Sequence, residues 1–529
     1  MNDRIKGWLE RAPLAPFLIP VLLLTLLWQR NRLRLPIDDT LPTLGVLLGL
    51  VAVFLVASYL RFKDWRRAAL LTTIWTFFLL YAPSFAQLLA PSGWLFWGAI
   101  SLTGLIAFDI SRRLPRADDA QSKGMLYANV AALILGVPWA LQASWQAFQL
   151  EQGRPDPTNV FAPFEAEADA NSPDVWHIVM DRYANAGVLR DNYGYDNSAF
   201  LQALRDRGFA VEDEAFSNYQ VTNQSLSSTL NANYLDHLIA TQDHKLDSVP
   251  QFEAVRSSQA SRFFKREGYE MIFASTWADI SHTHDLADRT VNSRPVSQLP
   301  RQVIDQSLLG HLGALADIPF LSGRADQCVR EPAKFAELRK IAGEDGRKYV
   351  FAHFLLPHPP YLLNKDGECK PVVQEIAWDR KRNYLEQLEY ANGELLELID
   401  AILAGPRPAT IVIHGDEGPY PEVYAGDEKY RKTPLAPRKS WANVGPDMWR
   451  EKTGILMAVR HADGATESAP ATPMNLYPLI LNRDFNGKLP MRSDRVSIFQ
   501  DVDEIHKWTD VTEALLKQTR GGDRVEPAQ

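Results

Sequence analysis

The stretch Val175-Trp-His-Ile-Val-Met-Asp181 is a short, apolar and β-branched run that ends in a carboxylate. Such a run is typical of a strand buried inside a sheet. Four further runs of this kind follow it: Tyr269–Ala274, Tyr349–Leu355, Thr410–His414 and Gly454–Val459. Longer helical stretches lie between them, such as Asn197–Arg207 and Arg380–Leu403. Strands that alternate with helices predict an α/β three-layer sandwich, in which helices cover both faces of a mostly parallel sheet.

Three of these strand ends carry groups that can bind a ligand. In open α/β sheets, ligands bind beyond the carboxyl ends of the strands. The first strand runs into Asp181, the third run leads to His358, and the fourth leads to Asp416 and Glu417. A single Asp after a strand is usually a turn or cap residue. Three such ends, with Gly and Pro around them, favour a metal site.

The charge of the chain is divided unevenly between its two ends. Residues 1–148 contain 14 Lys and Arg against 8 Asp and Glu, a balance of +6, while the whole chain carries −8, so residues 149–529 carry −14. This division indicates a transmembrane domain at 1–148, a Pro-, Asp- and Ala-rich linker at 149–172, an exported α/β domain at 173–515 and a polar tail at 516–529. An acidic domain argues against nucleic acid as a partner, because phosphate backbones are bound by Lys and Arg.

Charge-free apolar runs predict about five transmembrane helices, since one span needs about 20 apolar residues. The runs cover residues 12–29, 41–60, 68–108 and 124–150, and the third is long enough for two spans. The first is short and rich in Pro, and a cleaved signal peptide is the alternative there. The runs contain no Asp, Glu, Lys, Arg or His, which argues against a transporter.

Basic loops give the expected orientation of these helices. Lys and Arg cluster at residues 61–67 and 112–123, while the loop between the third and fourth spans carries no charge. The positive-inside rule places both basic loops and the N-terminus in the cytoplasm. The chain after residue 150 is then expected outside the cytoplasmic (inner) membrane, although the arginines at residues 30–34 count against this orientation.

The chain has two cysteines, Cys328 and Cys369. An exported domain permits a disulfide between them, and two separate buried thiols are the alternative.

Four motifs resemble the alkaline phosphatase and sulfatase superfamily, and within it the membrane-anchored lipoteichoic acid synthases and phosphoethanolamine transferases. The motifs are the strand that ends in Asp181, Ser217-Asn-Tyr-Gln-Val-Thr222-Asn-Gln-Ser225-Leu-Ser-Ser228, Leu356-Pro-His358-Pro-Pro-Tyr361 and Gly415-Asp416-Glu417-Gly418. The resemblance covers residues 173–515, and the five expected spans extend it to the whole chain. It implies an alkaline-phosphatase-like fold and a metal-dependent phospho-group transferase or hydrolase. The implied substrate is a cell-envelope lipid or glycan.

The resemblance also implies roles for individual residues. Asp181, Asp416 and Glu417 correspond to ligands of one divalent metal ion. Thr222 corresponds to the nucleophile, which also contacts the metal, and His358 to a histidine that faces the metal or the phosphate. Oxygen and nitrogen ligands of this kind suit Mn, Zn, Mg or Ca, and the sequence does not choose among them. A bound cation activates a hydroxyl nucleophile by favouring its alkoxide.

Several assignments have alternatives. Thr222 is equally well explained as a helix N-cap. Ser225 is the second candidate nucleophile and, together with Arg182, a candidate substrate contact. Leu226 stands where sulfatases have an arginine, which argues against a formylglycine-type sulfatase. Glu417 replaces the family's histidine, so the site either keeps a metal or is inactive. The alternative function is a non-catalytic scaffold or binding subunit in envelope polysaccharide assembly.

The remaining histidines near these motifs are interpreted as structural. His353 lies within a strand and is expected to be a satisfied core residue, and the same holds for His414. His282 and His284 are expected in a solvated loop.

Overall fold

The structure is a computed structural model. It describes residues 2–90, 92–114, 118–243, 246–276, 278–292, 296–316, 318, 320–371, 379–421, 440–441, 444–465, 468–501 and 504–520. The chain divides into two compact units. The first comprises Met1–Gly153 and Val296–Asp326, and the second comprises Arg154–Pro295 and Gln327–Gln529. Residues 296–326, which the sequence places inside the α/β domain at 173–515, are thus grouped with the N-terminal helices.

The helices and the strands of the described part of the chain are numbered separately, each in chain order. The helices are α1 (Asp3–Leu9), α2 (Ala15–Asn31), α3 (Leu41–Phe62), α4 (Trp65–Leu89), α5 (Gly93–Arg112), α6 (Asp118–Gln152), α7 (Pro157–Val160), α8 (Ala186–Tyr193), α9 (Ser198–Asp206), α10 (Thr222–Asn231), α11 (Asp236–Ala240), α12 (Val249–Arg256), α13 (Gln259–Arg266), α14 (Gln298–Gln306), α15 (Leu308–Leu315), α16 (Gly323–Ala342), α17 (Arg380–Leu403), α18 (Pro446–Thr453), α19 (Leu476–Asp484) and α20 (Thr512–Arg520). The strands are β1 (Asp174–Met180), β2 (Ala210–Val211), β3 (Glu270–Ala274), β4 (Arg289–Val291), β5 (Lys348–Phe354), β6 (Ala409–Gly415), β7 (Met457–Arg460), β8 (Ser497–Phe499) and β9 (Trp508–Asp510).

The first unit is a helical bundle. Among the described residues, the four helices that are long and apolar enough to cross a membrane are α3, α4, α5 and α6. The first predicted span forms α2, which has 17 residues and contains Pro20, so it rises only about 26 Å. The count of five spans therefore stays a prediction. Buried Asn129 of α6 accepts a hydrogen bond from the Ala15 N–H at 2.9 Å, which satisfies a backbone donor at the start of α2.

The second unit is built on a seven-stranded sheet with the order β2-β7-β6-β1-β5-β3-β4. The central strand β1 is parallel to β5 and to β6, while β7 is antiparallel to β6 and to β2. All seven residues of β1 are buried, which explains why its sequence is continuously apolar rather than alternating. All five predicted strands are present. The short strands β2 and β4 and the separate β8–β9 pair were not predicted.

Alternate residues of β1 pack on opposite faces of the sheet, as the pleat requires. Trp176, Ile178 and Met180 belong to one core cluster, which includes residues of α17. Val175 and Val179 belong to the other, which includes residues of α10 and α13. Helices therefore cover both faces, and the predicted fold class, N-terminal apolar helices plus a three-layer, mostly parallel α/β sandwich, is confirmed.

Two further predictions concern the ends and the cysteines of this unit. Cys328 and Cys369 form a disulfide with a Cα–Cα distance of 5.5 Å, so the bonded alternative is the one present. The predicted tail at 516–529 begins inside α20, and residues 521–529 lie outside the described residues. The predicted linker at 149–172 contributes buried Phe161 and Phe164 to the core of the second unit.

Candidate metal centre

Asp181 and Asp416 lie side by side at the carboxyl ends of neighbouring strands. Strands β1 and β6 are parallel, with Met180 paired to Gly415, so the next residue on each strand is one of the two aspartates. Both side chains are buried. The backbone of Arg182 has a positive φ of 62°, and its N–H donates to Asp416 Oδ1 at 3.2 Å. The sheet register thus brings two predicted ligands together from distant parts of the chain.

His353 forms a cluster with these two aspartates. It is paired with Val179 of β1, so its side chain points to the same face as Asp181, two residues further on. His353 Nε2 lies 3.7 Å from Asp181 Oδ2. One ligand atom from each of Asp181, His353 and Asp416 lies within 4.8 Å of the others. His353 is fully buried, as expected of a core residue, but its ring faces the aspartates.

A hydroxyl pair orients the His353 ring. His353 Nδ1 lies 2.7 Å from Ser281 Oγ, which in turn lies 2.7 Å from Thr276 Oγ1. Burial lowers the pKa of His353 to about 3, so the ring is neutral near pH 7. In the tautomer whose Nδ1–H donates to Ser281, Nε2 carries the lone pair that a metal ion needs.

Three buried atoms of this cluster have no hydrogen-bond partner among the described residues: Asp181 Oδ1, His353 Nε2 and Asp416 Oδ2. Each such atom costs about 1–3 kcal/mol of desolvation free energy. Burial and then the Asp416 charge raise the pKa of Asp181 well above its usual value. Burial and then the Glu417 charge raise the pKa of Asp416 to about 6. One cation satisfies all three atoms, and two carboxylates with one imidazole suit a divalent metal.

Thr222 is the first residue of α10, the helix that packs on this face of the sheet. The N-cap residue is Val221, so Thr222 is not the cap that the alternative interpretation required. Its side chain lies close enough to Asp416 to oppose the rise in the pKa of that carboxyl. Thr222 is half-buried. A hydroxyl next to a candidate ligand carboxylate and at a helix N-terminus is well placed to meet an anion.

Glu417 is held by two cations instead of joining the three-residue cluster. Arg182 Nε donates to Glu417 Oε1 at 2.8 Å, and Lys452 Nζ lies 2.9 Å from Oε2. Both cations also contact the ring of Tyr420, with Arg182 Cζ 4.5 Å and Lys452 Nζ 3.8 Å from its centroid. Burial lowers the pKa of Lys452 to about 8, although the Glu417 charge opposes the shift. Arg182, predicted as a substrate contact, is thus paired with Glu417, predicted as a ligand.

The other predicted contacts, His358 and Ser225, lie in different settings. His358 is half-buried, and its Nδ1 meets the carbonyl of Pro359. Burial and then the nearby Arg182 charge lower the pKa of His358, so this ring is neutral and close to the ion pairs. Ser225 is fully buried one turn after Thr222, and its hydroxyl has no hydrogen-bond partner among the described residues.

The remaining histidines lie in the core or in a loop. His414 Nε2 lies 2.7 Å from Nε2 of buried His177, so His414 contacts the core, as expected of a structural residue. His284 Nε2 lies 2.9 Å from Ser261 Oγ, and burial lowers its pKa to about 3. This loop histidine is mostly buried, in contrast to the solvated position that the sequence indicated. His282 contacts the carbonyl of Thr276 through Nδ1 at 2.8 Å.

Two residues of the site were missed in the sequence. Lys452 follows no strand and belongs to no motif, and it reaches Glu417 from α18. His353 was assigned to the core. No signal in the sequence indicated its role, because the pairing of His353 with Val179 depends on the order of the strands.

No family model matches this sequence, and no curated protein sequence matches it. Solved structures do. One is the C-terminal periplasmic domain of EcEptC from Escherichia coli, at 12% identity and TM-score 0.40, with 68% of this chain and 98% of that chain covered. Another is the lipooligosaccharide phosphoethanolamine transferase A from Neisseria meningitidis, at 11% identity and TM-score 0.32, with 84% and 89% covered. A third is the phosphonate monoester hydrolase of Agrobacterium radiobacter, at 12% identity and TM-score 0.36, with 65% and 82% covered.

The chain is similar to these structures. A phosphoethanolamine transferase, the kind of protein that the sequence motifs resemble, is one of these structures. At such identities and TM-scores the likeness carries no conclusion about activity, which must come from the site itself.

Proposed function

We propose that the chain is a membrane-anchored, metal-dependent enzyme that transfers or hydrolyses a phospho group, with Thr222 as the nucleophile. The observation that carries the proposal is the convergence of three unpartnered buried ligand atoms, on Asp181, His353 and Asp416, beside the Thr222 hydroxyl. A divalent cation held there supplies positive charge that favours the Thr222 alkoxide and offsets charge developing on the phospho group.

Local charges support an anionic substrate. Three carboxylates, Asp181, Asp416 and Glu417, and two cations, Arg182 and Lys452, sum to a formal charge of −1. A divalent ion changes this sum to +1, which attracts a phosphate ester. The ion pairs of Glu417 keep Arg182 and Lys452 in fixed positions near the cluster, so little reorganisation is needed when the substrate binds.

The proposed reaction proceeds by proton transfer and phospho-group transfer at Thr222. The Thr222 proton passes to the neighbouring Asp416 carboxylate, whose pKa the Thr222 side chain influences. Thr222 Oγ1 then bonds to phosphorus while the bond from phosphorus to the leaving oxygen breaks, and that oxygen takes a proton from solvent. The oxygen of water or of an acceptor hydroxyl then bonds to phosphorus and gives its proton to solvent, while the bond from phosphorus to Thr222 Oγ1 breaks and Thr222 regains its proton from Asp416. The mixed donor set favours Zn or Mn over the all-oxygen sites typical of Mg and Ca.

The substrate is proposed to be a phosphate-bearing lipid or glycan of the cell envelope. Four helices of the first unit are long and apolar enough to cross a membrane. With the N-terminus in the cytoplasm, as the basic loops indicate, and with α2 as the fifth span, the α/β unit lies outside the inner membrane, where such substrates are available.

The test uses the full-length protein purified in detergent or nanodiscs. Bound metal is measured by mass spectrometry, and hydrolysis of a nitrophenyl phosphodiester is followed for Thr222→Ala, Thr222→Ser and Thr229→Ala. Thr229 lies on the same helix, two turns further on, and serves as the matched control. We expect Thr222→Ala to abolish turnover while metal binding remains, and Thr222→Ser to retain part of the rate. Equal activity of Thr222→Ala and Thr229→Ala would exclude Thr222 as the nucleophile.

A non-catalytic scaffold is the second candidate, and the pairing of Glu417 with Arg182 and Lys452 is the observation that favours it. A carboxylate neutralised by two cations no longer contributes to a metal site. In that case the purified protein holds no metal, and Thr222→Ala leaves the cellular phenotype unchanged at normal protein levels.

A further inference from the structure

A segment between strands β4 and β5 belongs to the helical unit rather than to the sheet. Residues 296–326 group with the N-terminal bundle, and they form α14 and α15 followed by Ile318, Phe320 and Leu321. These two helices and the three following residues are called the hairpin below. Its sequence is far from the predicted spans, so the hydropathy runs at residues 12–150 gave no indication of it.

The hairpin packs at one defined end of the bundle. Buried Leu308 of α15 clusters with Ala86, near the end of α4, and with Phe96 and Ile100 of α5. The ring of His311 stacks on Phe96, with centroids 5.0 Å apart. Phe96 and Ile100 are the fourth and eighth residues of α5, so α15 lies within about 10 Å of the start of that helix.

Helix α14 contacts the same end. Its Leu299 and Val303 join a core cluster with residues of α2, α4 and α6. Gln302 accepts a hydrogen bond at 3.1 Å from Asn31, the last residue of α2. This end of the bundle is opposite to the basic loops at 61–67 and 112–123, and the positive-inside rule makes it the outer one.

Contacts within the hairpin join its two helices to the residues that follow them. The guanidinium of buried Arg301 pairs with Asp305 at 2.9 Å and donates to the carbonyls of Phe320 and Leu321 at 3.1 and 2.8 Å. Gly313 lets Leu321 approach the helix, because a Cβ at that position would overlap the Leu321 side chain. Phe320 and Leu321 are therefore held against α14 and α15.

That outward surface is apolar. Five large side chains of the hairpin are between 44% and 66% exposed: Leu309, Leu312, Leu315, Ile318 and Phe320. Helix α15 contains no Asp, Glu, Lys or Arg, whereas a helix that faces water has a polar side. Exposed apolar patches of this kind mark an interaction surface.

We propose that the hairpin lies in the outer leaflet of the membrane and that phospholipid covers this surface. The apolar surface of the hairpin is continuous with apolar side chains at the neighbouring ends of α4 and α5, where Leu88, Leu89 and Trp94 are 75–82% exposed. This continuity favours lipid as the covering molecule. Tryptophan at a helix end is typical of the membrane interface. A depth of about 5–10 Å is that of interfacial helices. The proposal does not depend on the function proposed above.

The experiment places single cysteines in the full-length protein, labels them with a nitroxide, and measures access to oxygen and to a water-soluble nickel chelate in phospholipid nanodiscs. The native cysteines are joined in a disulfide, so the nitroxide reagent reacts with the introduced cysteine alone. Leu312→Cys and Leu315→Cys are the test variants. Leu102→Cys, exposed on α5, is the lipid control, and Gln202→Cys, exposed on α9, is the water control. Leu308→Cys is the buried control.

We expect the labels of Leu312→Cys and Leu315→Cys to show a ratio of oxygen access to nickel-chelate access that is severalfold higher than that of Gln202→Cys. Their depth in the bilayer should be shallower than that of the label of Leu102→Cys. Nickel access equal to that at 202 would overturn the proposal, because the surface would then face water. Protection from both reagents, as at 308, would also overturn it and would indicate that a second copy covers the surface.

Discussion

The substitution Asp181→Asn separates the effect of a bound cation from that of ordinary packing. In the metal-free protein, the ligand atoms of Asp181 and Asp416 lie within 4.8 Å of each other. Two unit charges at that distance repel by about 3 kcal/mol at an effective dielectric constant of about 20. At a pH where both carboxylates are ionised, Asn removes this repulsion, so we expect the metal-free variant to be up to about 3 kcal/mol more stable than the wild type. In the presence of the metal the same change removes a ligand and lowers stability.

The pH dependence provides an independent readout of the buried carboxylates, because burial and the Glu417 charge raise the pKa of Asp416. The pKa of Asp416 rises from 3.8 to about 6 in the folded protein, so the folded state binds that proton more tightly than the unfolded chain. Metal-free wild type is therefore expected to lose stability as the pH rises from about 4 to 6. The loss amounts to about 3 kcal/mol, since one pKa unit corresponds to about 1.4 kcal/mol.

Thermal unfolding of the full-length protein, followed by tryptophan fluorescence with chelator or with added Zn or Mn, measures both effects. Asp243→Asn, an exposed position in the same unit, is the control and is expected to change Tm little in either condition. The decisive result is the opposite sign of the Asp181→Asn shift with and without metal. A decrease in Tm of equal size in both conditions would refute the cation site.

Three more outcomes are expected. Ser281→Ala removes the hydroxyl that orients His353, and isothermal titration should show metal affinity lowered by about 10-fold or more. Lys452→Met leaves Glu417 buried beside one cation instead of two and should lower the free energy of unfolding by about 3 kcal/mol, measured by thermal unfolding. The double variant with Glu417→Gln should recover most of that loss. An absence of recovery would count against the ion pair between Lys452 and Glu417. Cys328→Ser opens a loop with a sequence separation of 41 and should lower the unfolding free energy by about 4 kcal/mol; an unchanged midpoint in denaturant would contradict this.

The sequence indicated the strands of the sheet well because their burial on both faces leaves a continuous apolar run. The run that ends in Asp181 and the run that leads to Asp416 were both recognisable in this way. The order of the strands was not recognisable, since any of several parallel arrangements would bury the same runs. Without that order, the adjacency of His353 to Asp181 could not be derived, and His353 remained a core residue.

The role of Glu417 could not be predicted for a related reason. Its partners come from the residue after Asp181 and from α18, so the ion pairs exist only after the chain has folded. A carboxylate next to Asp416 is consistent with a ligand or with an ion pair, and composition does not distinguish the two. The hairpin was missed because its apolar stretch is shorter than a span and interrupted by polar residues.

The side-by-side placement of Asp181 and Asp416 has a consequence for how this centre can change. Because both residues directly follow paired positions of parallel strands, their spacing is set by the interstrand distance of about 4.8 Å. Mutations in the surrounding loops can therefore alter which molecules reach the proposed metal site without changing the spacing of these two carboxylates. Substrate preference and metal retention are in this way free to diverge independently.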